Sequence, residues 1–161
     1  MKGSSPGSAP VLNRDELVRR YGRPREFRLV FTNGVFDLVH RGHVASLRAA
    51  RSLGDRLVVG VNSDESTRRL KGSQRPYQSE SDRAEILAAL RFVDAVTIFG
   101  EDTPEELIGR LLPDVLVKGS DYSEDQVAGA ESVRAAGGEV VLVQLEPGLS
   151  SSELVRRIRA E

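Results

Sequence analysis

Cysteine is missing from all 161 residues, which excludes disulfides, thiol nucleophiles and cysteine-ligated metal or iron–sulfur centres. No run approaches the ~18 apolar residues of a membrane span, and the polar N-terminus lacks the apolar core of a secretion signal. An excess of charge of one sign is lacking too: 23 basic residues face 24 acidic ones, for a formal charge of -1. Such a balance supplies no broad field for nucleic acid or an anionic membrane, so neither is expected as a partner. The expectation is a cytoplasmic protein of one domain, since domains usually run ~100–200 residues. Two residue types are scarce without being absent. Histidine occurs twice, at His40 and His43, and lysine three times, at Lys2, Lys71 and Lys118.

What is present is a regular alternation. Residues 1–12, rich in Gly, Ser and Pro, read as a disordered leader. Residues 13–27 read as a short helix capped by Asn13, with Leu17 and Val18 inward, and a linker; residues 28–161 read as the main domain. Apolar, β-branched runs at 28–33, 56–62, 94–99, 114–119 and 139–145 predict five strands buried on both faces of a sheet. Helical patterns fill 42–54 (ending at Gly54), 81–93, 103–112 (capped by Thr103), 123–138 and 150–161. Strands alternating with helices predict an α/β, Rossmann-like, doubly wound parallel sheet of five strands. The stretch 63–80, SDESTRRLKGSQRPYQSE, is too polar for a core element and reads as a long functional loop. The arginines in 14–28, 48–56 and 156–159 read as solvated helix faces, with no aromatics interleaved for nucleic acid.

In open α/β sheets ligands bind beyond the carboxyl ends of the strands. The densest candidate there is TNGVFDLVHRGHVASL, residues 32–47. His40 and His43 open a helix, three apart and on one side, near backbone N–H groups that have no helical partner. Gly42 between them leaves room for a ligand to approach the backbone. Free N–H groups, the positive end of the helix dipole and two ring donors together make an anion site. The dipole is expected to lower both imidazole pKa values. Ordinary capping explains one histidine at such a turn, whereas here both histidines of the chain fall in it. A zinc site would need Asp37 as a lone third ligand, and no metal site is expected. Ser150, Ser151 and Ser152 follow Pro147-Gly148 at a second helix start, where one serine would suffice as a cap, and suit the β- and γ-phosphates of a nucleotide. After the fourth strand, Lys118, Gly119 and Asp121 admit a nucleoside, with Asp121 facing the ribose; a plain turn is the alternative. Lys71, Arg75 and Arg83 offer positive charge for an acceptor phosphate and for the transferring phosphorus.

TNGVFDLVHRGH resembles the first signature of the HxGH nucleotidylyltransferases. The pieces GVNSDESTRRLKG (60–72), LLPDVLVKGSDY (111–122) and GLSSSELV (148–155) resemble one branch, the D-glycero-β-D-manno-heptose 1-phosphate adenylyltransferases. The likeness spans roughly residues 28–158. It implies transfer of AMP from ATP to a sugar 1-phosphate, giving ADP-heptose and pyrophosphate, by in-line attack without a covalent enzyme intermediate. It further implies His40, His43, Lys71 and Arg83 as catalytic residues. Thr32, Asn33, Gly34, Phe36, Gly42, Lys118, Gly119, Asp121 and Ser150 to Ser152 would bind the nucleotide. Asp37, Asp64, Lys71 and Arg75 would bind the acceptor. Mg²⁺ would be held mainly by the nucleotide's phosphates. A homodimer is implied, and a separate sugar kinase making the acceptor. Relatives often carry Ser-Thr-Thr where this chain has Ser150-Ser151-Ser152. The alternative within the same chemistry is a cytidylyltransferase acting on glycerol 3-phosphate or a similar phosphorylated alcohol, and outside it a non-catalytic nucleotide-binding module.

Overall fold

The computed structural model describes residues 7–161. Helix α1 (Arg14–Tyr21) precedes strand β1 (Leu29–Gly34), helix α2 (Arg41–Arg51), strand β2 (Arg56–Asn62), helices α3 (Asp64–Lys71) and α4 (Glu80–Ala88), and strand β3 (Ala95–Phe99). Helix α5 (Glu105–Leu111), strand β4 (Val115–Gly119), a short 3-10 turn (Glu124–Gln126), helix α6 (Ala130–Ala135), strand β5 (Glu139–Val143) and helix α7 (Ser151–Arg159) complete it. All strand pairs are parallel, in the order β3-β2-β1-β4-β5. The predicted five-stranded doubly wound sheet is what forms.

Period-two alternation in the strands builds two cores. Leu29, Phe31, Val58 and Leu116 face Leu17 of α1, Leu107, Ile108 and Leu111 of α5, and Val133 of α6. Val30, Leu57, Val59, Val61 and Val115 face the other way, against Leu47 and Ala50 of α2 and Ala84 and Leu87 of α4. Strand order reverses between β1 and β4, so a crevice opens at their carboxyl ends.

Several local expectations are corrected. Of the leader, residues 1–6 and Lys2 with them lie outside the described residues, but Ala9–Leu12 is ordered. Ala9 N donates to Ala88 O at 2.8 Å, Leu12 N to Val96 O at 2.8 Å, and Val96 N to Pro10 O at 3.0 Å. This segment satisfies backbone groups on the open edge of β3 and buries Leu12, which would otherwise leave an edge strand unpaired. The stretch 63–80 is not wholly a loop: α3 occupies its first half, capped by the Ser63 side chain, which accepts from Ser66 N at 3.1 Å. The α2 cap falls at Ser52, before Gly54, and α5 starts after Pro104 instead of Thr103. The weak pattern at 123–138 breaks in two at Gly129, which adopts φ +85°, and an added Cβ there would stand 2.7 Å from Ile108 Cγ2.

The arginines of 14–28 are not all solvated. Arg25, with 4% of its side chain exposed, donates to the Tyr21, Leu111 and Leu112 carbonyls and to Asp114, closing the end of α5. Leu112 there adopts φ +46°, so its carbonyl leaves the helix direction and needs an outside donor.

Candidate active site

Strand β1 runs into a tight turn in which Phe36 holds φ +52°, a left-handed conformation unusual for an aromatic residue. The turn delivers His40 to the N-cap of α2. Gly42 N donates to His40 Nδ1 at 3.1 Å, and His40 N donates to His43 Nδ1 at 3.2 Å. Both Nδ1 atoms therefore act as acceptors, which assigns the proton of each neutral ring to Nε2. The rings stack with centroids 3.9 Å apart, and Phe36 packs against His43 at 5.3 Å. Burial, with His40 beside it, pushes the His43 pKa down to about 4, and burial lowers that of His40. The direction matches the expectation, with burial as the main cause and, for His43, the neighbouring ring as a second. Two neutral N–H donors thus share one spot at a helix N-terminus. Gly42 serves the protein rather than a ligand: an added Cβ would meet the His40 ring at 2.9 Å and Leu149 Cβ at 3.1 Å.

The turn sits between two adjoining lobes of one cleft, with cavity volumes of 350 and 270 Å³. Asp37, His40, Gly42, Lys71, Arg75 and Ser150–Ser152 line the first lobe. Thr32, Asn33, Gly34, Lys118 and Gly119 line the second, and Phe36, His43 and Asp121 line both. The structure therefore gathers every expected site residue except Asp64 and Arg83 around one cleft. A more polar lobe and a more apolar one fit phosphates and a nucleoside respectively.

The walls differ in how free their polar groups are. The Ser150 side chain accepts from Glu153 N at 3.0 Å as the cap of α7, and Ser151 Oγ donates to Leu38 O at 3.2 Å. Ser152 has no such partner among the described residues. Lys118 is half-buried in the second lobe with its ammonium 5.0 Å from the Tyr122 ring. Burial, opposed by Asp121, lowers its pKa to about 8. Thr32 Oγ1 is committed to Val117 O at 3.0 Å. The space beside Gly119 is taken by Asp121 Oδ1 and Leu145, which an added Cβ would meet at 2.7 and 2.9 Å, so this glycine lets Asp121 and Leu145 close in rather than a nucleoside.

Arg83 and Asp64 are corrected. Arg83 is 0% exposed and reaches neither lobe. Its guanidinium donates to Gln78 O at 3.0 Å, Val35 O at 2.7 Å, Asn62 O at 2.8 Å and Asp64 Oδ1 at 2.8 Å. A planar five-donor fork suits four acceptors from different segments, so Arg83 ties the cleft's walls together and cannot touch a substrate from this seat. Asp64 is its ion-pair partner, not an acceptor contact. Asp37 is corrected likewise. Its side chain is 0% exposed and accepts from Arg75 Nε at 2.6 Å, Tyr77 N at 2.9 Å and Gln78 N at 3.0 Å. Burial alone would raise its pKa; the backbone N–H groups of Tyr77 and Gln78 and the Arg75 guanidinium overcome that and hold it below the usual carboxylate value.

Ser46, Tyr122, Leu145, Glu146 and Leu149 also line the cleft and were not expected. Leu145, Glu146 and Leu149 follow the last strand, where the carboxyl-end rule would have pointed to them. Ser46 lies one helical turn beyond Gly42 on α2 and carried no signal of its own. Among the described residues no group of three or more His, Asp or Glu could hold a metal ion, and no helix is long and apolar enough to cross a membrane.

Fold and site together define an α/β nucleotidyltransferase domain. The chain belongs to the cytidylyltransferase-like family, whose model matches residues 31–157. It is 54% identical over 156 residues to the bifunctional protein HldE of Gluconacetobacter diazotrophicus, covering 96% of this chain and 32% of that protein. With HldE of Rhodopseudomonas palustris strain BisB5 it shares 58% identity over 137 residues, covering 85% of this chain and 28% of the relative. The chain thus spans about a third of the length of the curated relatives it matches. Among solved structures it is similar to a lipopolysaccharide core biosynthesis protein of Thermoplasma volcanium, at TM-score 0.62 and 29% identity, covering 75% of this chain and 98% of that one. A pantothenate synthetase of Thermus thermophilus, at TM-score 0.60 and 19% identity over 92% of this chain and 70% of that one, shares the fold.

Proposed function

We propose that this domain transfers AMP from ATP to D-glycero-β-D-manno-heptose 1-phosphate, releasing pyrophosphate. The observation that carries the reading is the His40–His43 pair: two neutral rings with Nδ1 locked by backbone N–H groups and Nε2–H left for a ligand. An oxygen of the sugar 1-phosphate attacks the α-phosphorus of ATP, forming one P–O bond as the bond to the β-phosphate oxygen breaks. No side-chain nucleophile is required, and catalysis consists of positioning and charge stabilisation. His40 and His43 donate to the α-phosphate and its leaving oxygen. The start of α7 with Ser152 receives the β- and γ-phosphates. The second lobe holds the nucleoside between Lys118, Asp121 and Tyr122. Lys71 and Arg75 hold the acceptor phosphate, while Arg83 and Asp64 act only through the structure they support. Mg²⁺ belongs to this reading as an ion carried by the phosphates, neutralising their charge; Asp121 and Glu146, carboxylates lining the phosphate lobe, fit contacts to its water shell. The same reading includes a cytoplasmic setting, a sugar kinase as the source of the acceptor, and a homodimer.

The choice of heptose rests on the NSDESTRRLKG and VKGSDY segments and on the similarity to the HldE proteins. A pyrophosphate-release panel of each NTP against heptose 1-phosphate, glycerol 3-phosphate and phosphocholine tests it. ATP with heptose 1-phosphate is the expected pair, and turnover of CTP with glycerol 3-phosphate but none with ATP would overturn it. His43→Ala should lower kcat by about 10²–10³, as loss of one preorganised donor does, in a domain that still folds, though its thermal midpoint falls because His40 N loses its acceptor; near-native kcat would remove the histidines from the mechanism.

A further inference from the structure

The buried Asp37 lies against a segment that carries a charge into the phosphate lobe. Its carboxylate accepts the Arg75 Nε–H at 2.6 Å and the main-chain N–H groups of Tyr77 and Gln78 at 2.9 and 3.0 Å. Three donors from residues 75–78 thus converge on one carboxylate that belongs to the histidine turn, three residues before His40. Once Nε is taken, the two terminal nitrogens of Arg75 donate to no protein acceptor among the described residues. The Arg75 side chain is 15% exposed and lines the same lobe as His40 and Ser150–Ser152. Its guanidinium also lies 5.1 Å from the Tyr77 ring, which restricts rotation about the Nε bond. What remains is a guanidinium edge of fixed orientation, the geometry that takes two oxygens of one phosphate at once.

We propose that Asp37 is a positioning residue that presets Arg75 as a two-pronged seat for the acceptor's phosphomonoester, and that it never touches substrate itself. This rests on the functional reading above and assigns roles within it. The carboxylate sets where the acceptor's phosphate sits relative to the histidines, because the histidine turn and the Arg75 segment share it as a common anchor. A lysine at 75 would not replace the arginine: one ammonium can pair with Asp37 or with the phosphate, not with both in the same geometry.

The test uses the whole domain with Asp37→Asn, Arg75→Lys and the double variant, each checked by its thermal midpoint. Calorimetry gives the Kd of ATP alone and of heptose 1-phosphate alone, and steady-state kinetics give KM for each. Both single variants should weaken heptose 1-phosphate binding at least about tenfold, the scale of a misplaced positioning group, with the ATP Kd within about twofold of wild type. The double variant should be no worse than the worse single, because both substitutions remove the same preset fork. If Asp37→Asn does not fold, Arg75→Lys alone decides. Equal weakening of ATP and of the sugar phosphate, or a folded Arg75→Lys with unchanged affinity for heptose 1-phosphate, would overturn the proposal. A wild-type domain that binds ATP yet neither binds nor turns over heptose 1-phosphate would defeat the functional reading itself, a result distinguishable from failure of the positioning role.

Discussion

Replacing Arg83 by Met separates two roles that the sequence alone could not. Methionine keeps much of the buried stem's volume while deleting every donor. Val35 O, Asn62 O and Gln78 O each lose an N–H within 3.0 Å, and Asp64 loses its ion pair. A buried acceptor left unsatisfied costs about 1–3 kcal/mol. Only the bond to Asn62 lies in a fully buried setting, so the lower end applies to the other two carbonyls. Asp64 keeps 29% of its side chain in water, and its lost pair is discounted to about 1 kcal/mol or less. Together the loss is about 3–6 kcal/mol, in line with breaking one side of a buried charge network. That is a large part of the ~5–15 kcal/mol that holds a typical domain. Urea unfolding should show the midpoint falling with little change in slope. At urea-free, low temperature the folded fraction should still bind ATP with near-native Kd. Arg83→Lys should fall between, because one nitrogen faces acceptors on four residues. The reasoning is refuted if Arg83→Met unfolds within about 0.5 kcal/mol of wild type while turnover collapses, for then the guanidinium must leave this seat and reach substrate.

Two pH dependences follow from the site. The folded-state pKa of His43 lies at about 4 and that of His40 is lowered as well, against an ordinary value of ~6.5 in the unfolded chain. Below ~6.5 the unfolded state then binds protons that the folded state refuses, so stability should fall as pH drops from 6.5 toward 4. Urea midpoints at pH 7, 6 and 5 check this, and a decline as steep in His43→Gln as in wild type would assign it to other groups. In the second lobe, Lys118 loses its charge around pH 8 rather than near its ordinary value. ATP should therefore bind more weakly above pH 8, about tenfold at most per unit of pH for a single titrating group; an unchanged slope in Lys118→Met would show that Lys118 is not the group responsible.

The strands were legible because a parallel sheet covered on both faces demands apolar runs, and RLVVGVN and DVLVKG can do little else. Helix α3 was not legible, because its buried face consists of Ser66 and Thr67 and its one large apolar residue, Leu70, is exposed. A search for apolar spacing passes over such a helix. Its true signals were the Ser63 cap, acids in the first turn and bases in the last, which complement the helix dipole. The Ala9–Leu12 segment was misread for the converse reason: its composition resembles a leader, and its partners, Ala88 at the end of α4 and Val96 on the open edge of β3, lie 79 or more positions away.

The histidine turn could be read from the sequence because its parts are contiguous and act through local backbone geometry. The roles of the charged residues could not, because their partners are remote: Arg83 closes contacts to residues 5, 19, 21 and 48 positions away. Chemistry nonetheless sorts the cations. A guanidinium has five donors in a plane and loses little by burial when several carbonyls surround it, so Arg25 and Arg83 are consumed in joining segments. An ammonium has no such fork, and Lys71 and Lys118 donate to no protein acceptor among the described residues. They line the two lobes, one each, where an incoming phosphate or nucleoside would supply what the protein withholds. Arg75 is the informative exception. It is an arginine half consumed by Asp37 and half left open, and that division is what makes it a seat of fixed direction instead of a strut or a loose charge.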